Sequence, residues 1–286
     1  FWINPPIVIV IALVMLAMWR DPPREQAVRI DVPGLLALVA GLGMIVFAVM
    51  QAPDWGWSNL LVWVLLAAGF VFAGLFVLVE KRRSQPLIDV DLFRSGAFTS
   101  FNLVIFLGQF SKINLFIFAA AYLQDVLGYA AMIAGVALLA STVPTVISAF
   151  PTGAAVDRVG SRVLVLTGLA VYAVASAWIA IAVTFESYLL LLPALVAWGI
   201  CNPMLFAPSL RDVMNTVTPD KRGQAGGISM TAQLLGGTVG MTVCGTLYAT
   251  TGLYWPIFGL VAVLSLGTFM LCWRTLPHFE RTPGAQ

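Results

Sequence analysis

Two groups of residues in this 286-residue chain could do chemistry. The first is the stretch GAAVDRVGSR, Gly153 to Arg162, which sets Asp157, Arg158 and Arg162 among glycines between two long apolar runs. Gly153 and Gly160 permit a tight turn. Asp157 suits a helix N-terminus or an arginine, and Arg158 and Arg162 suit helix C-terminal carbonyls or acids. The chemistry on offer is charge pairing at helix ends. The plainer alternative is that the arginines only fix membrane orientation. The second group is Asn102, Gln109 and Lys112 in FNLVIFLGQFSKINLFIFAAAYL. Their spacing, i, i+7 and i+10, puts them on one side of a helix. A charge halfway along a membrane span costs about 2.5–3.5 kcal/mol on insertion scales, so this stripe faces protein or water. The apolar runs contain no acid, so a partner for Lys112 comes from outside them or from a substrate. Otherwise Lys112 snorkels or forms a structural pair.

Other chemistries lack their parts. The only histidine is His278, and the three cysteines, Cys201, Cys244 and Cys272, fall inside apolar runs. No metal-ligand spacing, nucleophile with its base, or phosphate-cradling G-x-x-x-x-G-K-[ST] loop occurs, so the sequence calls for no cofactor and no enzyme activity. A net charge of +2 argues against nucleic acid as a partner.

The elements that position these residues are set by composition. Hydrophobic residues make up 60% of the chain and charged ones 10%, against roughly a quarter charged in soluble domains. Lipid is therefore the solvent. Nine apolar segments appear, at 1–18, 33–50, 58–79, 97–122, 130–152, 163–183, 187–209, 224–250 and 254–274. Most approach the ~20 residues of a spanning helix, and no barrel-like alternation occurs. The loops between them sort the basic residues. Arg20, Arg24, Arg29, Lys81, Arg82, Arg83, Arg94, Arg158, Arg162, Arg211, Lys221, Arg222, Arg274 and Arg281 all fall on one side, and only Lys112 does not. The positive-inside rule makes that side cytoplasmic, with Phe1 outside and the C-terminal tail inside.

The segments differ in polarity. In 224–250 one face carries Gly226, Ser229, Gln233, Gly236, Gly240 and Cys244. Gly236 and Gly240 form a small-xxx-small pair that lets helix backbones approach, and Gly226 extends the packing stripe. Asn202 precedes Pro203 in 187–209, where proline invites a kink. Segments 163–183 and 254–274 are plain and read as lipid-facing. Polar-lined helices mixed with plain ones describe a bundle around a water-filled path, with Asn102, Gln109, Lys112, Asn202 and Gln233 as pathway residues.

GAAVDRVGSR resembles the loop signature G-x-x-x-D-R-x-G-R-R of the major facilitator superfamily, with Ser161 replacing the first basic residue of the final pair. FWINPPI, DWGW at 54–57, PLIDVDLFRSGAF at 86–98, YLQDVLGYAAMIAG at 122–135 and RGQAGGISMTAQLLGGTVG at 222–240 resemble the 14-span drug:proton antiporters of the EmrB/QacA type. The resemblance implies an all-α membrane bundle in four parts. Residues 1–18 are the last span of an N-terminal half, 19–96 hold cytoplasmic loops and two central linker spans, 97–274 form the C-terminal six-helix bundle, and 275–286 are a cytoplasmic tail. It implies upstream sequence completing that N-terminal half, residence in the plasma or inner membrane, and proton-coupled efflux of small drug-like molecules by alternating access. Gly153, Asp157, Arg158, Gly160 and Arg162 are its gating motif. Lys112 departs from the pattern expected at that position. The alternatives are transport of another small solute (an anion, sugar or metabolite), or a non-transporting receptor or scaffold.

Overall fold

The computed structural model describes residues 4–18, 32–80 and 88–276. Among the described residues every regular element is a helix: α1 (Asn4–Met18), α2 (Val32–Trp55), α3 (Leu60–Glu80), α4 (Gly96–Asp125), α5 (Ala131–Val159), α6 (Ser161–Ala182), α7 (Tyr188–Asn215), α8 (Arg222–Thr251) and α9 (Trp255–Thr275). A short 3₁₀ turn, Val90–Arg94, precedes α4. The helix α1 belongs to a separate unit and has no buried residue. The expected basic residues Arg20, Arg24, Arg29, Lys81, Arg82, Arg83 and Arg281, and most of the tail, lie outside the described residues.

Among the described residues seven helices are long and apolar enough to cross a membrane by length and composition, which makes this a multi-pass membrane protein. The helix α1, at 15 residues, is shorter than that. The 30-residue α8 is long enough but diluted by glycine, threonine and glutamine, because it packs against protein along much of its length.

Within residues 33–286, α4 is the hub. It packs against α8, α7 and α9, while α6 packs against α7 and α9, and α5 against α7. Phe98, Phe101, Tyr122, Tyr172 and Trp198 form the largest fully buried side chains. The start of α4 is fixed by Ser95, whose hydroxyl accepts from Phe98 N at 3.3 Å. Gly252, at φ +66°, ends α8, and its N–H donates to Tyr248 O at 2.7 Å.

Two expectations are corrected here. Segments 163–183 and 254–274 are not simply lipid-facing. The helix α6 buries Leu166, Leu169, Tyr172 and Ile179, and α9 buries Ile257, Phe258, Val261 and Ser265. Apolar side chains serve protein and lipid contacts equally, so hydropathy cannot separate them. It is α5 that shows the more exposed face, with Met132, Val146, Ile147 and Phe150 outward. Second, helices run past the apolar segments. A 30-residue helix is about 45 Å long, more than the ~30 Å hydrocarbon core. Asp54, Glu80, Asp125, Asp157 and Asp212 therefore lie in terminal turns of helices rather than in loops.

Candidate functional site

The helix α5 continues through Gly153 and Asp157 to Val159, and α6 begins at Ser161. The whole connection is Gly160, at φ +82°, whose N–H donates to Val156 O at 3.0 Å. A left-handed residue between two helices is where glycine is required. Gly153 plays no part in the turn; it is helical, and a Cβ there would meet open space.

The charged residues of this stretch divide between two neighbours. Arg211 of α7 reaches Asp157 Oδ1 at 2.5 Å, with both side chains about half exposed or more. Arg162 donates to the carbonyls of Leu276 and Trp273, the latter at 2.8 Å, and its guanidinium lies 5.9 Å from the Trp273 ring centroid. A cation thus covers carbonyls that the end of α9 leaves without intrahelical donors. Arg158 is exposed and has no hydrogen-bond or ion-pair partner among the described residues. The turn therefore ties α5 to α7 and α6 to α9 at one end of the bundle.

A second tie lies near it. Lys221 Nζ is 2.6 Å from Asp89 Oδ2, and Asp89 N donates to Gln224 Oε1 at 3.2 Å. The bond from Lys221 holds the Asp89 carboxyl below its usual range, and Lys221 is raised in return. A depressed carboxylate stabilises above its unfolded pKa of about 3.9, so this pair is intact at neutral pH and is lost as pH falls through the folded value.

The polar stripe of α4 splits up. Asn102 is buried; it donates to Phe98 O at 2.9 Å and accepts from Ser229 Oγ at 2.8 Å, which commits it to the α4–α8 contact. Gln109 is half-buried beside Gly237, and its Oε1 has no donor among the described residues. Lys112 is exposed, with no hydrogen-bond or ion-pair partner among the described residues. Gln233 is half-buried on α8. Asn202 is buried and donates to Tyr172 Oη at 3.4 Å, so its amide is spent on the contact between α7 and α6.

The glycines of α8 sit where backbones meet. A Cβ on Gly236 would overlap Phe106 O, and one on Gly240 would lie 2.7 Å from Asn114 Nδ2. Gly226 has a looser neighbour, since a Cβ there would lie 3.1 Å from the flexible tip of Met214, its Cε. Three features escape sequence reading. Gly199 of α7 lies against Ser141 O of α5 as tightly as Gly236 does against α4. Trp198 stacks on Tyr172 at 5.2 Å and donates to Ser111 Oγ at 3.2 Å. A π-helical turn, Leu115–Ala119, interrupts α4 just beyond Lys112. An isolated glycine or tryptophan in an apolar run carries no local mark of its partner; the polar–apolar mixture in SKINLFIF is the only hint at the π turn.

Two cavities lie against α4 and α8, the first beside α2 and α3 and the second beside α2. One, of about 440 Å³, is lined mainly by apolar residues including Leu42, Phe76, Leu103 and Phe106. The other, of about 500 Å³, is lined by Met50, Asp54, Gln109, Thr238, Met241 and Thr242 among others. Among the described residues no group of three or more histidine, cysteine or acidic side chains could hold a metal.

Residues 101–286 match the family model described as Major Facilitator Superfamily. Among curated proteins the chain is 27% identical over 252 residues to the multidrug resistance protein Stp of Mycobacterium tuberculosis, covering 87% of this chain and 46% of that protein. It is 30% identical over 257 residues to the puromycin resistance protein pur8 of Streptomyces alboniger, covering 86% and 50%. It is 32% identical over 248 residues to the cephamycin export protein CmcT of Amycolatopsis lactamdurans, covering 84% and 51%. The chain spans about half the length of these relatives. A family model matched over more than half the chain, on a bundle of membrane-length helices with the signature turn at one end, makes this chain a member of the Major Facilitator Superfamily.

Proposed function

We propose that this chain forms the C-terminal six-helix half, residues 97–274, and the central helix pair of a proton-coupled exporter of small drug-like molecules. Residues 1–18 are the last span of the opposing half, and 275–286 a cytoplasmic tail. The observation that carries the reading is the turn around Gly160, where Asp157 meets Arg211 and Arg162 covers the end of α9. In alternating access one half rocks against the other around a midplane site, and such contacts at a helix end make and break with the rocking. Relatives named for multidrug resistance, puromycin resistance and cephamycin export support the direction and class of cargo. Their greater length supports a second half as the partner. Expression of the complete transporter in a drug-sensitive bacterium should raise resistance to at least one of puromycin, lincomycin and a cephamycin at least fourfold; unchanged sensitivity to all three opposes the reading.

The protein sits in the plasma or inner membrane with Gln286 on the cytoplasmic side. Single cysteines at Ser58 and Ser84 test this. An impermeant thiol reagent added to intact cells should label Ser58→Cys and spare Ser84→Cys. Labelling at position 84 from outside contradicts the orientation.

Gln109, Lys112 and Gln233 are the proposed pathway residues. Asn102 and Asn202 support the pathway through packing, since their amides are already bonded within the helical unit. Lys112, exposed on α4 and without a partner among the described residues, either pairs with a carboxylate of the opposing half or meets substrate directly. A cation beside an acid favours its ionised form. Lys112→Gln should therefore shift the pH dependence of export by about one unit, while Lys112→Arg keeps the native profile. Identical profiles in both variants reduce Lys112 to a snorkelling residue.

A further inference from the structure

The cavity of about 500 Å³ between α2, α4 and α8 has the make-up of a ligand site, with apolar walls and a few convergent polar groups. Its polar lining is biased toward acceptors. Asp54, in the last turn of α2, is exposed and has no ion-pair partner among the described residues. Thr238 spends its hydroxyl proton on Leu234 O at 3.2 Å, and Thr242 spends its own on Thr238 O at 3.0 Å. Both oxygens are left as acceptors. Gln109 Oε1 lacks a donor, and the Gln109 amide nitrogen is the one donor this group retains. Met50 and Met241 supply polarizable, adaptable walls. Lys112, three residues beyond Gln109 on α4, does not line the cavity.

The rim is held in place. Gly56, at φ +84°, turns the chain just after Asp54. Trp57 Nε1 donates to Thr246 Oγ1 at 3.3 Å, next to the lining residue Gly245, and Trp63 Nε1 donates to Trp57 O at 2.8 Å. The carboxylate thus stands at the edge of the cavity on a turn pinned to α8.

We infer that this cavity is a binding site for an amphiphilic organic cation, with Asp54 as counter-ion to an ammonium or amidinium-type group and the methionine-lined walls holding the apolar body. As a substrate site it rests on the export reading, and it gives the central helix pair a share in recognition.

The probe is ethidium, a flat monocation carrying aryl-amine donors. In the complete transporter in detergent micelles, Met241→Cys reports on the cavity wall through its rate of modification by methyl methanethiosulfonate. Saturating ethidium should slow that rate at least fivefold. Adding Asp54→Asn should raise the ethidium concentration for half-protection at least tenfold, and Asp54→Glu should keep it within threefold. The anion 8-anilinonaphthalene-1-sulfonate should give no protection. Equal half-protection in the Asp54→Asn background, equal protection by the anion, or no protection by ethidium at all overturns the site. Puromycin export by the same variants after reconstitution into proteoliposomes separates the two claims. Asp54-dependent protection without export leaves the cation site standing and removes the export reading; export without protection does the reverse.

Discussion

Gly236→Leu should remove the folded protein. The glycine rests against the Phe106 carbonyl of α4, where even a methyl group would overlap backbone atoms that cannot yield as a side chain tip can. Inserting bulk into a packed interface costs about 1–3 kcal/mol, and more when backbones must part. The α4–α8 contact also contains the buried Asn102–Ser229 bond, so separating the helices strands two polar groups in an apolar setting. The expected result is a drop of at least tenfold in monodisperse protein on size-exclusion chromatography. Gly227→Leu, on the same helix but facing open space, should leave the yield within twofold. Equal yields for the two variants would mean that α8 does not pack on α4 through Gly236.

Asp157→Asn should slow export at least threefold while membrane expression stays within twofold. The carboxylate is exposed and meets Arg211 at 2.5 Å. Exposed ion pairs contribute about 0–1 kcal/mol to stability, so folding survives the change. The same energy placed on one side of a conformational equilibrium shifts it up to about fivefold, and turnover reads that shift. Arg211→Gln should produce a similar loss, and the double variant should be no slower than either single one. The exchange Asp157→Arg with Arg211→Asp should recover part of the rate. Turnover at the native rate in Asp157→Asn would leave the arginines of this turn as orientation signals only.

Much of the architecture was legible because lipid imposes a simple rule. Backbone groups in hydrocarbon must bond within the helix, so an apolar run of sufficient length is a helix. The described helices follow the apolar runs in order, and DRVGSR marked the turn between α5 and α6. Helix ends were less legible. The chain keeps helical hydrogen bonds beyond the hydrocarbon, which is why Asp157 belongs to α5 and a single glycine makes the connection. Lateral packing was legible only where residue size forced it. The paired Gly236 and Gly240 announced close approach, whereas the lone Gly199 did not, although it meets Ser141 just as closely. The polar stripe of α4 shows the same limit. Helical periodicity put Asn102, Gln109 and Lys112 on one side, but the neighbour opposite each one decided whether it was satisfied, half-buried or free. Asp54 was invisible as a lining residue because its cavity depends on α2 meeting α4 and α8, a contact no local pattern encodes.

Transport driven by a proton gradient is the most direct test of the central claim. Everted membrane vesicles containing the complete transporter, acidified inside, should accumulate radiolabelled puromycin, and nigericin should abolish accumulation by collapsing the pH gradient. Vesicles carrying Asp157→Asn should fill at no more than about a third of the native rate, the threefold loss expected from the population shift. Accumulation that is absent, or that proceeds unchanged after the gradient has collapsed, contradicts proton-coupled export by this protein.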